Sequence, residues 1–198
     1  MHEHTISSPT QRERCLVLFL AFALCVMLMA LLKERFLHPS LIVHLPGNSM
    51  QFTASKETVT QDMDEVAALM QSLRLHPNDT QVLLRLVQIF MERGEWETAE
   101  TFARRTLQET PGSFQGNFLL GIILHQEKKD VEAAASLEHA ILLKDDGPTR
   151  YSLGVLYCYY LNQKEKGLAH LNAALNIPDL ADDLKKTITE EIAKQTTR

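Results

Sequence analysis

Cysteine, proline and glycine are all scarce in this 198-residue chain, which contains 3 Cys, 7 Pro and 8 Gly. The three cysteines, Cys15, Cys25 and Cys158, are too few and too scattered for a disulfide framework or a zinc site. With 45% hydrophobic and 23% charged residues, the composition also excludes a collagen-like or disordered chain. We therefore expect one folded domain with a short appendage.

An excess of positive charge is missing as well, because 20 Lys plus Arg stand against 25 Asp plus Glu, a net charge of -5. A chain with this net charge has no basic field over the whole protein to hold nucleic acid phosphates, so no nucleic acid partner is expected. The motifs of common hydrolases, nucleotide-binding sites and zinc enzymes are absent, and the histidines of the C-terminal half stand singly on separate predicted helices. We expect no enzyme, no catalytic residue, no metal and no cofactor.

One long apolar run is present. Residues 15–32 read CLVLFLAFALCVMLMALL, without a charge, an amide or a proline. As a helix this run is about 27 Å long, close to the hydrocarbon thickness of a bilayer. It exceeds the apolar core of a cleavable signal peptide, and no small-residue cleavage site follows it. The run predicts an uncleaved transmembrane signal anchor at 15–35 after a short polar tail at 1–14; a buried core helix is the alternative.

The charges beside the anchor barely decide its orientation. Arg12 and Arg14 precede the apolar run, and Lys33 and Arg35 follow it. The shortness of the tail favours an N-terminus in the cytoplasm. We therefore expect a single-pass protein of the inner (cytoplasmic) membrane with a periplasmic C-terminal domain, joined to the anchor by a linker at 36–60.

The strongest pattern in the rest of the chain is a 34-residue period. Four series of mostly small or apolar residues recur at this spacing. They are Ala99, Ala133 and Gly167; Thr106, Ala140 and Ala174; Leu73, Leu107, Ile141 and Leu175; and Leu69, Ala103, Leu137 and Leu171. Pro77 and Pro111 share the period, and a proline there ends a helix because it lacks an N–H.

These residues resemble the tetratricopeptide repeat (TPR), whose pattern places Leu-Gly-x2-Tyr on a first helix and alanines on a second. Leu153, Gly154 and Tyr157 match the first part, and Leu120 with Gly121 matches its core. A small residue where the two helices cross keeps their backbones close together. The resemblance implies an all-α fold, in which the transmembrane helix precedes an α-solenoid of about three TPR helix pairs with a leading and a terminal capping helix.

The repeat pattern assigns residues 61–196 to this TPR domain. A lone leading helix is expected at about 61–75, and a terminal helix at 179–195. The repeats are expected at about 80–111, 114–145 and 148–178.

The terminal helix has one apolar stripe, formed by Leu180, Leu184, Ile188 and Ile192. Charged residues, including Glu190 and Glu191, are expected on its opposite, solvated face. Such a polar face keeps the end of a solenoid soluble.

The TPR resemblance also implies that the first helix of each pair lines a concave face, where a protein or peptide partner binds. We expect this peptide-binding groove to be mainly apolar and aromatic, with its members at helical spacing. The predicted groove residues are Leu84, Gln88, Met91, Phe118, Ile122, His125, Tyr151, Val155 and Tyr159, with Cys158 beside them. Such a groove suits an apolar peptide segment or an amphipathic helix. The alternative is that the linker or the terminal helix covers part of it.

The plan of anchor, linker and three helix pairs resembles the membrane-anchored TPR proteins of bacterial c-type cytochrome biogenesis. That resemblance implies a protein-protein interaction module that assists assembly of a membrane or periplasmic complex, such as c-type cytochrome maturation. A translocon-associated periplasmic helper and an organellar import receptor are alternatives with the same plan. A structural scaffold that oligomerises through its groove is a third alternative, and the oligomeric state stays open.

Overall fold

The computed structural model describes the backbone of residues 56–197 and the side chains of residues 64–197. Over that range the chain forms eight α-helices and no strand, which confirms the all-α fold there. The helices are α1 (Lys56–Leu75), α2 (Thr80–Glu92), α3 (Trp96–Glu109), α4 (Phe114–Gln126), α5 (Asp130–Leu143), α6 (Gly147–Tyr159), α7 (Lys164–Leu175) and α8 (Asp182–Thr196).

Three predicted segments lie outside the described residues: the tail at 1–14, the anchor at 15–35 and residues 36–55 of the linker. Within the described part, no helix is both long and apolar enough to span a bilayer. Residues 56–60, expected in the linker, are helical. The reason is local, since no proline or glycine interrupts the sequence between Lys56 and Leu75.

The helices pack in sequence order as three hairpins. The pairs α2–α3, α4–α5 and α6–α7 make the most extensive contacts, and α3 and α5 also pack on the first helix of the next pair. Helix α1 packs on α2, while α8 packs on α7 and α6. This nearest-neighbour order is that of an α-solenoid, with a single helix before and after the three pairs.

Each hairpin begins with a capped helix. Asp79, Ser113 and Asp146 precede α2, α4 and α6, and a side-chain oxygen of each accepts a hydrogen bond from a backbone N–H of the first turn. The turn inside each hairpin then contains one residue with a left-handed backbone. These residues are Gly94, Lys128 and Asn162, with φ of 72°, 65° and 52°. They lie 34 positions apart, so the sequence period is also a period of backbone conformation.

Small residues bring the two helices of a hairpin close together where they cross. A Cβ atom added to Gly121 would lie 2.6 Å from Leu137 Cγ and 3.2 Å from the carbonyl oxygen of Ala133. A Cβ atom added to Gly154 would lie 3.0 Å from the carbonyl oxygen of Gly167. The predicted crossing positions Ala133 and Gly167 are therefore confirmed.

Ion pairs connect the first hairpin to the second. Arg104 of α3 lies 2.6 Å from Glu100 of its own helix and 3.1 Å from Glu132 of α5. Lys129, at the start of α5, places its Nζ 2.7 Å from Glu100. Burial alone raises the pKa of Glu100, but hydrogen bonds from Lys129 and Arg104 outweigh it and lower the pKa from 4.5 to about 2.

Gly121→Ala tests the crossing. The added methyl group collides with Leu137, so we expect the free energy of unfolding to fall by about 1 to 3 kcal/mol, although alanine favours the helix. Urea unfolding of the full-length chain in detergent measures the change. The control is Gly112→Ala, because nothing lies within 4 Å of a Cβ at Gly112. Equal stability of the two variants would contradict the crossing.

Glu100→Gln tests the ion pairs between the first two hairpins through the pH dependence of the stability. Because the folded-state pKa of Glu100 is depressed, its contribution to stability is present above about pH 4.5 and is lost as the pH falls toward 2. We expect the variant to be less stable than the parent near neutral pH and equally stable near pH 2. Urea unfolding across this range measures it, with Glu109→Gln on the exposed end of α3 as the control. A stability difference that does not change with pH would refute the assignment.

Candidate functional site

The nine predicted groove residues lie on the first helices of the three hairpins, α2, α4 and α6. Three of them are partly exposed: Gln88, Met91 and Tyr159. The other six are buried, with at most 6% of their surface exposed. They are Leu84, Phe118, Ile122, His125, Tyr151 and Val155.

The expectation of an open apolar groove is therefore wrong for these six side chains, although their role in binding stays a prediction. The five apolar and aromatic members of the six belong to one hydrophobic core with the crossing residues. In α4, every residue from Gly116 to His125 is buried. A helix that is buried on all sides belongs to a core rather than to a solvated face. The apolar run FLLGIIL, which has no polar position in a helical turn, was the signal for this burial.

His125 is buried at the turn of the second hairpin and does not line an open groove. Its Nδ1 lies 2.6 Å from Asp130 Oδ1, at the first residue of α5. The edge of its ring meets Tyr160, with 4.4 Å between the ring centroids. A buried histidine with a carboxylate partner and an aromatic neighbour stabilises the local fold.

Glu191 attaches the terminal helix to the third hairpin. The hydroxyl of Tyr159 donates a hydrogen bond to Glu191 Oε1, and Gln195 Nε2 donates to the same oxygen at 3.2 Å. The carboxylate is buried, so its predicted place on the solvated face of the terminal helix is wrong. The physical reason is that a buried charge is tolerated when polar partners surround it, and Tyr159 and Gln195 provide them.

Burial changes the pKa of two reactive side chains in the described part, those of Cys158 and His170. Burial and the charge of Glu191 raise the pKa of Cys158 to about 11, so its thiol stays protonated at neutral pH. Burial lowers the pKa of His170, whose ring stacks on Tyr157. Within residues 64–197, no three His, Cys, Asp or Glu side chains are grouped so that they could hold a metal ion.

An open depression lies instead at the turn end of the first two hairpins. We call it the turn pocket, and its volume is about 600 Å³. It is lined by Gly94, Glu95, Trp96, Glu97, Thr98, Gln126, Glu127 and Lys129. None of the predicted site residues lies in it. The signal in the sequence was the GEWE run, which places the only tryptophan of the chain between two glutamates.

The outer face of α5 carries exposed apolar side chains. Val131 and Leu142 are 74% and 82% exposed, and they are three helical turns apart on the same side of α5. The corresponding residues of α3, Glu97 and Gln108, are polar. These leucine and valine side chains therefore contribute little to the packing of the hairpin.

Solved structures share this fold at low sequence identity. TTC0263, a thermophilic TPR protein in Thermus thermophilus, matches with a TM-score of 0.59 and 16% identity, over 70% of this chain and 76% of that one. MamA residues 41 to the end from Desulfovibrio magneticus RS-1 match with a TM-score of 0.58 and 21% identity, over 71% and 87%. A chain of the CopN-Scc3 complex matches with a TM-score of 0.52 and 16% identity, over 76% and 82%.

At these identities the likeness establishes the fold alone, a TPR-type helical solenoid. No family model and no curated protein sequence matches this chain.

Phe118→Ala tests the burial of the predicted groove. Because Phe118 is buried in the core, we expect the free energy of unfolding to fall by about 3 to 5 kcal/mol. Urea unfolding of the full-length chain in detergent measures this loss. Leu142→Ala is the control, and a change within about 0.5 kcal/mol is expected for it because its side chain is exposed. A Phe118→Ala variant as stable as the parent would contradict the burial and support the prediction of an open groove.

Proposed function

We propose that this chain is a membrane-anchored protein-interaction module that assists assembly of a membrane or periplasmic complex, such as one for c-type cytochrome maturation. The observation that carries the interaction role is the TPR-type stack of three hairpins. Stacked repeats present an extended surface formed by several helices, which suits binding of another protein. The CopN-Scc3 complex, one of the structural neighbours, is an assembly of proteins and supports this role.

Other observations support a binding role over an enzymatic one. The thiol of Cys158 is protonated at neutral pH, and His125 and His170 are held in packed surroundings. These side chains offer no nucleophile or base positioned to act on a substrate. We propose no catalytic activity for the described part of the chain.

The anchor part of the proposal rests on the apolar run at residues 15–32, which is long enough for one membrane crossing. The periplasmic placement rests on the short tail before it. A translocon-associated helper or an organellar import receptor is the alternative proposal. The compartment and identity of the bound partner distinguish the three.

We further propose that a partner meets the predicted groove at its partly exposed members. Gln88 and Met91 lie near the C-terminal end of α2, beside the buried side chains Leu84 and Phe90. Binding there would bury apolar surface of the partner against Met91, a flexible side chain that adapts to different shapes. The buried groove residues then act as the support of this surface.

A photo-crosslinking amino acid at Met91 tests the proposal in the cells that express the protein. After irradiation, we expect one defined protein adduct in the membrane fraction, and it should withstand an alkaline wash because the chain is anchored. Mass spectrometry identifies the partner, and a subunit or assembly factor of a membrane complex is the expected result.

The matched control is the same amino acid at Glu190, which is exposed on α8. The same adducts from both positions would indicate random collisions and would contradict a defined binding surface. An adduct found only in the soluble fraction would contradict the anchor.

A further inference from the structure

The turn pocket combines an aromatic ring with an acidic rim. Trp96 is the first residue of α3 and is partly exposed in the wall of the pocket. Its counterparts in the next two hairpins, 34 and 68 positions later, are Asp130 and Lys164. The indole is therefore no requirement of the hairpin itself, because the other two hairpins form with small or charged side chains at this position.

The charges of the lining are predominantly negative. The lining contains three carboxylates, those of Glu95, Glu97 and Glu127, and one ammonium group, that of Lys129. The ammonium group is already engaged, because Lys129 Nζ lies 2.7 Å from Glu100 and 2.9 Å from Glu127. The pocket thus presents an acidic rim, and two of the three N–H donors of its lysine are already bonded to carboxylates.

Glu127 is the polar group that this arrangement leaves incompletely bonded. Its side chain is only 10% exposed, and its Oε2 accepts a hydrogen bond from Lys129. Its Oε1 is buried and has no hydrogen-bond partner among residues 64–197. A buried carboxylate oxygen without a donor is costly, so a ligand donor gains free energy when Glu127 changes its side-chain conformation to meet it.

We propose that the turn pocket binds an arginine side chain from a basic segment of a protein partner, with the guanidinium against the Trp96 indole and its N–H groups directed at Glu127. A guanidinium is planar, so it stacks on an indole ring while its edge donates two hydrogen bonds to a carboxylate. The volume of about 600 Å³ is ample for one arginine side chain and its flanking backbone.

The charge of the whole domain favours the same ligand. Residues 51–198 contain 16 Lys plus Arg and 22 Asp plus Glu, a net charge of -6, which attracts basic segments at long range. Glu95 and Glu97 on the exposed rim then act at short range. An acidic peptide would meet repulsion at both distances.

This inference deepens the proposed function, on which it rests, because it names the chemistry of one contact with the partner. The surface around Met91 and the turn pocket are tested by separate experiments. Partner capture at Met91 with no arginine binding in the pocket would refute the inference and leave the proposed function standing. Arginine binding in the pocket without any partner captured at Met91 would support the inference and count against the proposed function.

The only tryptophan of the chain makes the pocket its own reporter. The experiment titrates the full-length chain in nonionic detergent with an acetylated, amidated tetra-arginine peptide and follows Trp96 fluorescence. The matched ligand is tetra-citrulline, which keeps the shape of arginine and lacks its charge. We expect a saturable fluorescence change with the arginine peptide and at least tenfold weaker binding of the citrulline peptide. Equal binding of the two peptides, or binding of neither, would overturn the proposal.

Substitutions locate the site. Glu127→Gln preserves the shape of the side chain and removes its charge, and we expect it to weaken tetra-arginine binding at least tenfold. Glu190→Gln removes the same charge from the exposed face of α8 and should leave binding unchanged. Equal losses from the two substitutions would mean that only net charge attracts the peptide.

A second variant guards against misfolding. If Glu127→Gln lowers the melting temperature, tetra-arginine binding is measured instead on the double variant Glu95→Gln, Glu97→Gln. Both of these side chains are exposed, so we expect this variant to stay folded and to bind the peptide more weakly. Trp96→Phe, followed by calorimetry, must also weaken binding; unchanged affinity would refute stacking on the indole.

Discussion

The close approach of two helices at a glycine or alanine is the contact on which the rest of this domain depends. At Gly121 and Gly154 a methyl group has no room, because a leucine side chain and a carbonyl oxygen of the opposite helix occupy the space. This contact sets the distance between the helices of a hairpin. The distance in turn decides which leucines interdigitate and how the next hairpin stacks, since each repeat packs only on its neighbours.

The sequence predicts this part of the structure well, for a physical reason. The crossing residues, the helix caps and the left-handed turn residues are local requirements. The crossing and turn residues recur every 34 positions, and the caps recur after 34 and then 33 positions. A requirement that is met by one residue in its own hairpin appears directly in the sequence. The three hairpins and the all-α fold of the described part could therefore be predicted.

The burial of a side chain is less local, and here prediction from the sequence failed. Phe118 and Tyr151 have the spacing of a groove stripe, and the same spacing suits a core helix that is packed on all sides. Glu191 looked solvated because it is charged. Its burial depends on the Tyr159 hydroxyl and on Gln195, and the partner Tyr159 lies on another helix, 32 residues away.

The residues that break the repeat have a different cause from those that keep it. A position that recurs in three hairpins is explained by packing, whereas a position that varies among them is free of that constraint. Trp96, Asp130 and Lys164 occupy one such position, and Arg93, Glu127 and Leu161 occupy another. Both positions meet in the turn pocket, where a tryptophan from the first hairpin and a buried glutamate from the second lie together. The repeated residues thus give the three hairpins nearly the same backbone. The residues that depart from the repeat give one part of their surface, the turn pocket, a distinct chemistry.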